Sequence, residues 1–185
     1  MDNAQQFREI VKDSISRTGI DSLMEWLDNS DFFTAPASTR FHGSYSGGLC
    51  EHSLNVYRRL VELNEFYHGG YTPETIALVA LFHDVCKVGM YKTEMRWRKD
   101  QYGRWEQYPT YKASEDFHFG GHGSKSTYLI MYFVQLEPQE AAAINSHMGP
   151  WDRQDYGRPG EVYEDNMLAW MLHVADEAAT YIDKT

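Results

Sequence analysis

Apolar residues recur at helical spacing near the start of the chain. Four apolar positions define the first predicted helix: Phe7, Ile10, Val11 and Ile15. Gly19 is expected to end it, and a short second helix is predicted to carry Leu23, Trp26 and Leu27. Residues 31–48 are rich in Ser, Gly and Thr and are typical of a loop.

The next helices are marked by clearer signals. One is predicted from about Leu49 to Phe66. Thr72, Pro73 and Glu74 then supply an N-cap, a proline at the first helical position and an acid in the first turn. Residues 76–82 are apolar on all sides, so this helix is expected at the centre of the fold, ending near Lys87 and Gly89.

The pattern changes between Tyr91 and Tyr111, where aromatic and basic residues alternate around a predicted turn at Asp100–Gly103. This alternation predicts a β-hairpin or flap at about 91–111. Helices resume at Ser124–Val134, Pro138–His147 and Asp165–Ile182. The predicted fold class is therefore all-α, a helical bundle with one small inserted β-hairpin.

Length and charge limit the number of domains and the classes of partner that the chain can have. A chain of 185 residues fits one domain, 1–185, in which 1–40 form a helical extension. Seventeen Lys plus Arg against 27 Asp plus Glu give a formal charge of −10, which argues against a long nucleic-acid partner. The first residues lack the pattern of a signal peptide and no apolar stretch suits a membrane span, so we expect a soluble, cytoplasmic protein without a membrane partner. Its exposed aromatic residues allow a homodimer.

Cys50 and Cys86 lie inside apolar helical patterns, not at the spacings of a disulfide framework or a zinc ribbon. We interpret both as reduced, buried thiols.

Histidines and acids at predicted helix ends and faces carry the candidate chemistry. They are His52, His83, Asp84, His122, His147 and Asp176. Imidazole and carboxylate groups suit divalent transition ions. The His83-Asp84 pair is the most informative, because it follows seven consecutive apolar residues, where ionisable groups destabilise the fold unless something compensates them. A metal ion is the simplest compensation.

Further histidines and Lys125 can also be interpreted as residues that bind no ligand. A single histidine is most often a hydrogen-bonded side chain without a ligand, and we interpret His68 and His118 in that way. His173 lies one helical turn before Asp176 and could share its face, so both a ligand and a structural role stay open. Lys125 could be a surface charge.

The ordered set H…HD…H…H…D resembles the HD superfamily of metal-dependent phosphohydrolases. The local sequences GGLCEHSLNV, LFHDVCK and HVADEAATY are similar to the family's first-histidine, HD-x-x-K and terminal-aspartate segments. The likeness runs from about residue 41 to 182 and implies the family's helical core. FHGSYSGGLCEH also resembles the start of the HD domain in bacterial 3′-to-5′ exoribonucleases, which implies that His42 lies near the site. Because their nucleic-acid-binding OB portion has no counterpart here, polymer degradation is not expected.

The resemblance also implies roles for individual residues. His52, His83, Asp84 and Asp176 would bind one ion, and His122 and His147 a second, with Asp84 bridging. The metal would be one or two divalent transition ions, drawn from Mn, Fe, Ni, Co or Zn. Asp84 and Lys87 are the predicted catalytic residues, although Lys87 could equally be a cation favoured at a helix C-terminus.

Substrate binding is predicted at two further places, at Lys125 and on the flap. The glycine-rich run before Lys125 leads into a helix N-terminus, which can present N–H groups to an anion. Arg96 and Trp97 of the flap could hold a phosphate and a base. A hairpin that merely covers the core is the alternative for the flap.

The predicted function is hydrolysis of a phosphomonoester or phosphodiester, in a nucleotide or short oligonucleotide, by a metal-activated water. Two alternatives stay open from the sequence. One is a di-iron oxygenase on the same ligand set, and the other is a catalytically silent, metal-stabilised binding module.

Overall fold

The computed structural model describes residues 2–39, 43–114, 119–151 and 159–184. Within these ranges the chain forms α-helices and one two-stranded antiparallel sheet, which confirms a mostly helical fold with a hairpin. The helices are α1 (Asn3–Ser14), α2 (Ile20–Asp28), α3 (Gly48–Phe66), α4 (Pro73–Phe82), α5 (His122–Met131), α6 (Pro138–Ser146), α7 (Pro159–Asp165) and α8 (Met167–Ala178). None of these helices is long and apolar enough to cross a membrane.

Helix α4 lies at the centre of the molecule, as its sequence predicts. The Thr72 hydroxyl accepts a hydrogen bond from the Thr75 amide at 3.2 Å and caps the helix. Every residue from Thr75 to Phe82 is buried, and α4 packs against α1, α3 and α6. The α-helix ends at Phe82 with His83 as its C-cap, and a 3₁₀ turn over Val85–Lys87 follows.

The N-terminal helices belong to the same core. Asp2 caps α1 by accepting a hydrogen bond from the Gln5 amide at 2.7 Å. The Phe7 ring packs edge-on against Phe32 and Phe82, with ring centroids 5.2 and 5.5 Å apart. Residues predicted as an extension therefore contribute side chains to the buried centre.

The predicted helix over Asp165–Ile182 is confirmed, and it begins two residues later than predicted. Asn166 has an extended backbone, and its side chain accepts a hydrogen bond from the Ala169 amide, so α8 begins anew at Met167. Helix α7 precedes this break and was not predicted. A π-helical turn over Ala179–Asp183 continues α8. The small difference at the start arises because the Asn166 side chain caps the helix there.

The hairpin consists of β1 (Tyr91–Lys99) and β2 (Trp105–Ala113), paired from Tyr91 with Ala113 to Lys99 with Trp105. The Asp100 carboxylate closes the turn by accepting hydrogen bonds from the Tyr102 and Arg104 amides. All β1 side chains after Tyr91 are exposed, and no hairpin residue belongs to the buried apolar core. The hairpin therefore does not cover the core.

Helices α5 and α6 approach each other at Gly123. A Cβ atom there would lie 2.0 Å from the carbonyl oxygen of Asn145, so only glycine fits at this contact. The approach brings the start of α5, at His122, beside the end of α6, which is next to His147.

Candidate metal centre

Five buried side chains from different elements converge on one point. His83 and His147 are the C-caps of α4 and α6. His52 lies in α3, Asp176 in α8, and Asp84 precedes the 3₁₀ turn. The three imidazoles are fully buried and the two carboxylates nearly so. Burial of this many ionisable groups requires mutual compensation or a bound ion.

The rings of His83 and His147 are held by the helices that they end. His83 Nδ1 bonds the carbonyl oxygen of Ala80 at 2.8 Å, and His147 Nδ1 bonds that of Ile144 at 2.7 Å. Because a carbonyl only accepts, each Nδ1 carries the hydrogen and each Nε2 presents a lone pair. Neither Nε2 atom makes a hydrogen bond within the described residues. This is how protein structures orient a histidine toward a metal ion.

The donor atoms of these residues lie close to one another. His52 Nε2 lies 3.0 Å from Asp176 Oδ1 and 3.7 Å from Asp84 Oδ2. His83 Nε2 lies 3.4 Å from Asp84 Oδ2 and 3.9 Å from Asp176 Oδ1. Two ligands at ~2.1 Å from a shared ion lie ~3.0 Å apart at a right angle and ~3.4 Å apart at the tetrahedral angle. His52, His83 and Asp84 therefore form one group that could hold an ion, and His83, His147 and Asp176 form another.

The two oxygens of Asp84 face different groups. Oδ2 faces His52 and His83, whereas Oδ1 lies 3.6 Å from His147 Nε2 and 3.8 Å from the Cys86 sulfur. The Cys86 sulfur is also 3.5 Å from His122 Nδ1. Asp84, Cys86 and His122 thus form a further group that could hold an ion. Asp84 therefore faces both groups of donor atoms.

The electrostatics of the centre favour a cation. Burial raises the pKa of Asp84, but Lys87 and His83 outweigh it and hold that pKa well below its usual range. Burial likewise opposes ionisation of Asp176, and the hydrogen bond from His52 still lowers its pKa. Burial lowers the pKa of His83, and the Asp84 carboxylate reverses this and raises it. The same carboxylates that favour a proton on His83 would favour a metal ion beside it.

Lys87 is buried beside this centre. Its ammonium lies 2.6 Å from Asp84 Oδ2. Burial alone would lower the pKa of Lys87, but the charge of Asp84 raises it above its ordinary value. The side chain is therefore a fixed positive charge next to the metal ligands.

A cavity of about 300 Å³ opens onto the centre. Its lining includes Asp84, Lys87, Tyr91, His122, Trp151, Asp176 and Tyr181. A second cavity of about 870 Å³ lies along one face of the hairpin, and both are lined by Thr39 and Ala113. The base of the hairpin therefore borders the site.

The predicted substrate-binding residues are dispersed. Arg96 lines the hairpin cavity and is paired with Glu94 at 3.0 Å. Trp97 is the next residue along β1, so its side chain is on the opposite face, and it is 60% exposed. Lys125 lies partly buried on α5, one turn after His122. His42 lies outside the described residues.

The remaining histidines differ in position. His68 is exposed just after α3, away from the ligand group. His173 donates from Nδ1 to the carbonyl oxygen of His147 at 2.7 Å and stacks on Tyr163. It therefore supports the backbone of a predicted ligand. His118 lies outside the described residues.

Both cysteines are free and buried, as predicted. The position of Cys86 between Asp84 and His122 was not predicted, because its direction depends on the tighter 3₁₀ turn that follows α4. Its place inside HDVCK was the signal that could have indicated it.

Comparison of the chain with protein-family models, curated proteins and solved structures gave no significant match.

Proposed function

We propose that this protein is a metal-dependent phosphohydrolase of the HD type, acting on a nucleotide or short oligonucleotide. One observation carries the proposal. His52, the His83-Asp84 pair and Asp176 are far apart in the sequence, yet their donor atoms meet within 3.0–3.9 Å in the pairs described above.

The order of these residues supports the HD assignment. The pattern quoted from the sequence would have little weight if its members were scattered over the surface. Instead all of them are buried or partly buried, and Asp84 faces both the first group and His147. A chance set of histidines would not be expected to share one carboxylate in this way.

The chemistry follows from the donor set. One or two bound divalent ions would activate a water and neutralise charge that develops on the phosphoryl oxygens. His83 and His147 are held ready for this by their backbone hydrogen bonds. Asp84, which faces both donor groups, would be a ligand that the two positions share. Lys87 supplies a fixed positive charge for a phosphoryl oxygen or for the leaving group.

The substrate class is proposed from the lining of the cavity. Tyr91, Trp151 and Tyr181 can stack on a base while Lys87 lies at the metal end. A volume of about 300 Å³ is at the lower end for ligand pockets and suits one nucleotide. Arg96, in the adjoining cavity, could hold a further phosphate of a short oligonucleotide.

The test is product release from nucleotides, cyclic dinucleotides and short oligonucleotides by Mn²⁺-loaded protein. Asp84→Asn should abolish turnover, because it removes the charge shared by both ligand groups. Asp21→Asn is the matched control, since Asp21 is an exposed acid on α2. Turnover equal in both variants would reject the proposal.

A metal-loaded protein that is silent across the whole panel would also reject it. Copurified iron with substrate-dependent O₂ uptake would then identify an oxygenase. Metal binding with neither activity would indicate a binding module.

A further inference from the structure

The two cysteines of the chain have different surroundings. Cys50 belongs to the apolar core, whereas Cys86, although only 2% exposed, lies between Asp84 and His122. The Cys86 amide donates to the Ser126 hydroxyl at 3.2 Å, which ties the 3₁₀ turn to α5. Ser126 is four residues after His122, on the same face of that helix. The fold thus holds the thiol beside His122.

The spacing of the donor atoms is that of a metal site. A thiolate at ~2.3 Å and an imidazole nitrogen at ~2.05 Å from one tetrahedral ion lie ~3.6 Å apart, and a carboxylate oxygen lies equally far from the sulfur. The Cys86 sulfur is 3.5 Å from His122 Nδ1 and 3.8 Å from Asp84 Oδ1. In addition, His147 Nε2 is fully buried without a hydrogen bond in the described chain and lies 3.6 Å from the same Asp84 oxygen.

We infer that Cys86 is a metal ligand, and that with Asp84 and His122 it forms a sulfur-containing second metal position. The thiol proton leaves to solvent as the metal–sulfur bond forms. A sulfur ligand favours Zn²⁺, Co²⁺ or Fe²⁺ over Mg²⁺ and Mn²⁺, whereas a site of imidazole and carboxylate alone is less selective. This inference rests on the metal centre of the proposed function and adds the selectivity of one of its positions.

Cobalt is the probe that tests it, because thiolate coordination to Co²⁺ gives a near-ultraviolet charge-transfer band that nitrogen and oxygen ligands do not give. The decisive protein is Cys50→Ser, in which Cys86 is the sole remaining thiol. We expect the band in this variant at the intensity of the unchanged protein, and its loss in Cys86→Ser. We also expect Cys86→Ser to weaken Zn²⁺ binding at least about tenfold and Mn²⁺ binding much less.

A band that is missing in cobalt-loaded Cys50→Ser overturns the inference, and Cys86 is then a thiol that only hydrogen-bonds His122. A band that survives in Cys86→Ser overturns it as well, and so does a failure to bind cobalt. Because the Cys50→Ser measurement leaves Cys86 in place, the result does not depend on how well Cys86→Ser folds. Phosphohydrolase activity without the band supports the proposed function and contradicts the role of Cys86. The band without activity supports the role of Cys86 and contradicts the proposed function.

Discussion

At the scale of single residues, Asp84 is the residue that contacts both donor groups and Lys87. Its two oxygens face separate donor groups, and its charge also holds the Lys87 ammonium. The backbone places it between the end of α4 and the 3₁₀ turn, where the chain changes direction.

Mutation of Lys87 can test its catalytic role independently of metal binding. Lys87→Met should keep the bound metal but lower kcat about 100-fold, because it removes a fixed positive charge from the phosphoryl group. Since Asp84 raises the pKa of Lys87, the ammonium stays charged between about pH 6 and 9, and no loss of activity in that range should come from its deprotonation. Metal analysis and a pH–rate profile check this.

Lys12→Met is the matched control for Lys87→Met, because Lys12 is an exposed lysine in the last turn of α1. An unchanged kcat in metal-loaded Lys87→Met would mean that Lys87 only pairs with Asp84.

Gly123 lies next to a predicted ligand, and its replacement tests the packing that positions His122. A Cβ at Gly123 would collide with the Asn145 carbonyl, so Gly123→Ala should destabilise the protein by about 1–3 kcal/mol and weaken metal binding. Urea denaturation and metal titration measure the two effects.

Gly160→Ala provides the comparison for Gly123→Ala, because Gly160 is in α7 and a Cβ there meets nothing within 4 Å. It should be neutral or stabilise by up to about 1 kcal/mol. Equal stability of the two alanine variants would contradict the close approach of α5 and α6.

At the scale of elements, helix ends form the site. The C-termini of α4 and α6 both point at it, and the partial negative charge at a helix C-terminus favours a cation there. The hairpin differs from these helices because its side chains pack on no core. Residues 91–113 carry six Lys or Arg and three Asp or Glu, so the hairpin is basic in an acidic chain.

The two faces of the hairpin are expected to differ in their contribution to substrate binding. Arg96 lines the cavity that adjoins the site, so Arg96→Ala should raise KM about tenfold with little change in kcat. Trp97 is on the other face, and Trp97→Ala raises KM only if the substrate also contacts that face. Steady-state kinetics on the best substrate of the panel decide between the faces.

Arg104→Ala controls for hairpin charge, because Arg104 is 76% exposed in its side chain and pairs with Asp100 at the turn. Identical KM values in Arg96→Ala and the unchanged protein would remove the hairpin cavity from the substrate site.

Sequence patterns predicted the elements where one signal dominates. The Thr72-Pro73-Glu74 start and the apolar run after it defined α4, and the alternation after Tyr91 defined the hairpin. Helix α7 was not predictable from periodicity, because its sequence, PGEVYED, has too few apolar residues to show a helical pattern. The direction of Cys86 was also hidden, since a 3₁₀ turn and an α-helix point the same residue differently.

At the scale of the whole molecule, the candidate metal centre lies where α3, α4, α6 and α8 meet, so any metal binding there is expected to be coupled to folding. In the unfolded chain the donors are separated, and a metal ion that binds only the folded state stabilises it by mass action. Loading at 100 times the dissociation constant should add about 2.7 kcal/mol to the free energy of unfolding. Thermal denaturation with chelator, and again after Zn²⁺ or Mn²⁺ is restored, measures the difference.

Asp84→Asn distinguishes this coupling from a general effect of the chelator. The variant lacks the charge shared by both donor groups, so its unfolding temperature should respond to neither chelator nor added metal, whereas Asp21→Asn should respond as the unchanged protein does. If the unchanged protein melts at one temperature with and without bound metal, as verified by elemental analysis, the convergent histidines and aspartates contribute no metal-dependent stability. The buried lone pairs of His83 and His147 would then need another partner.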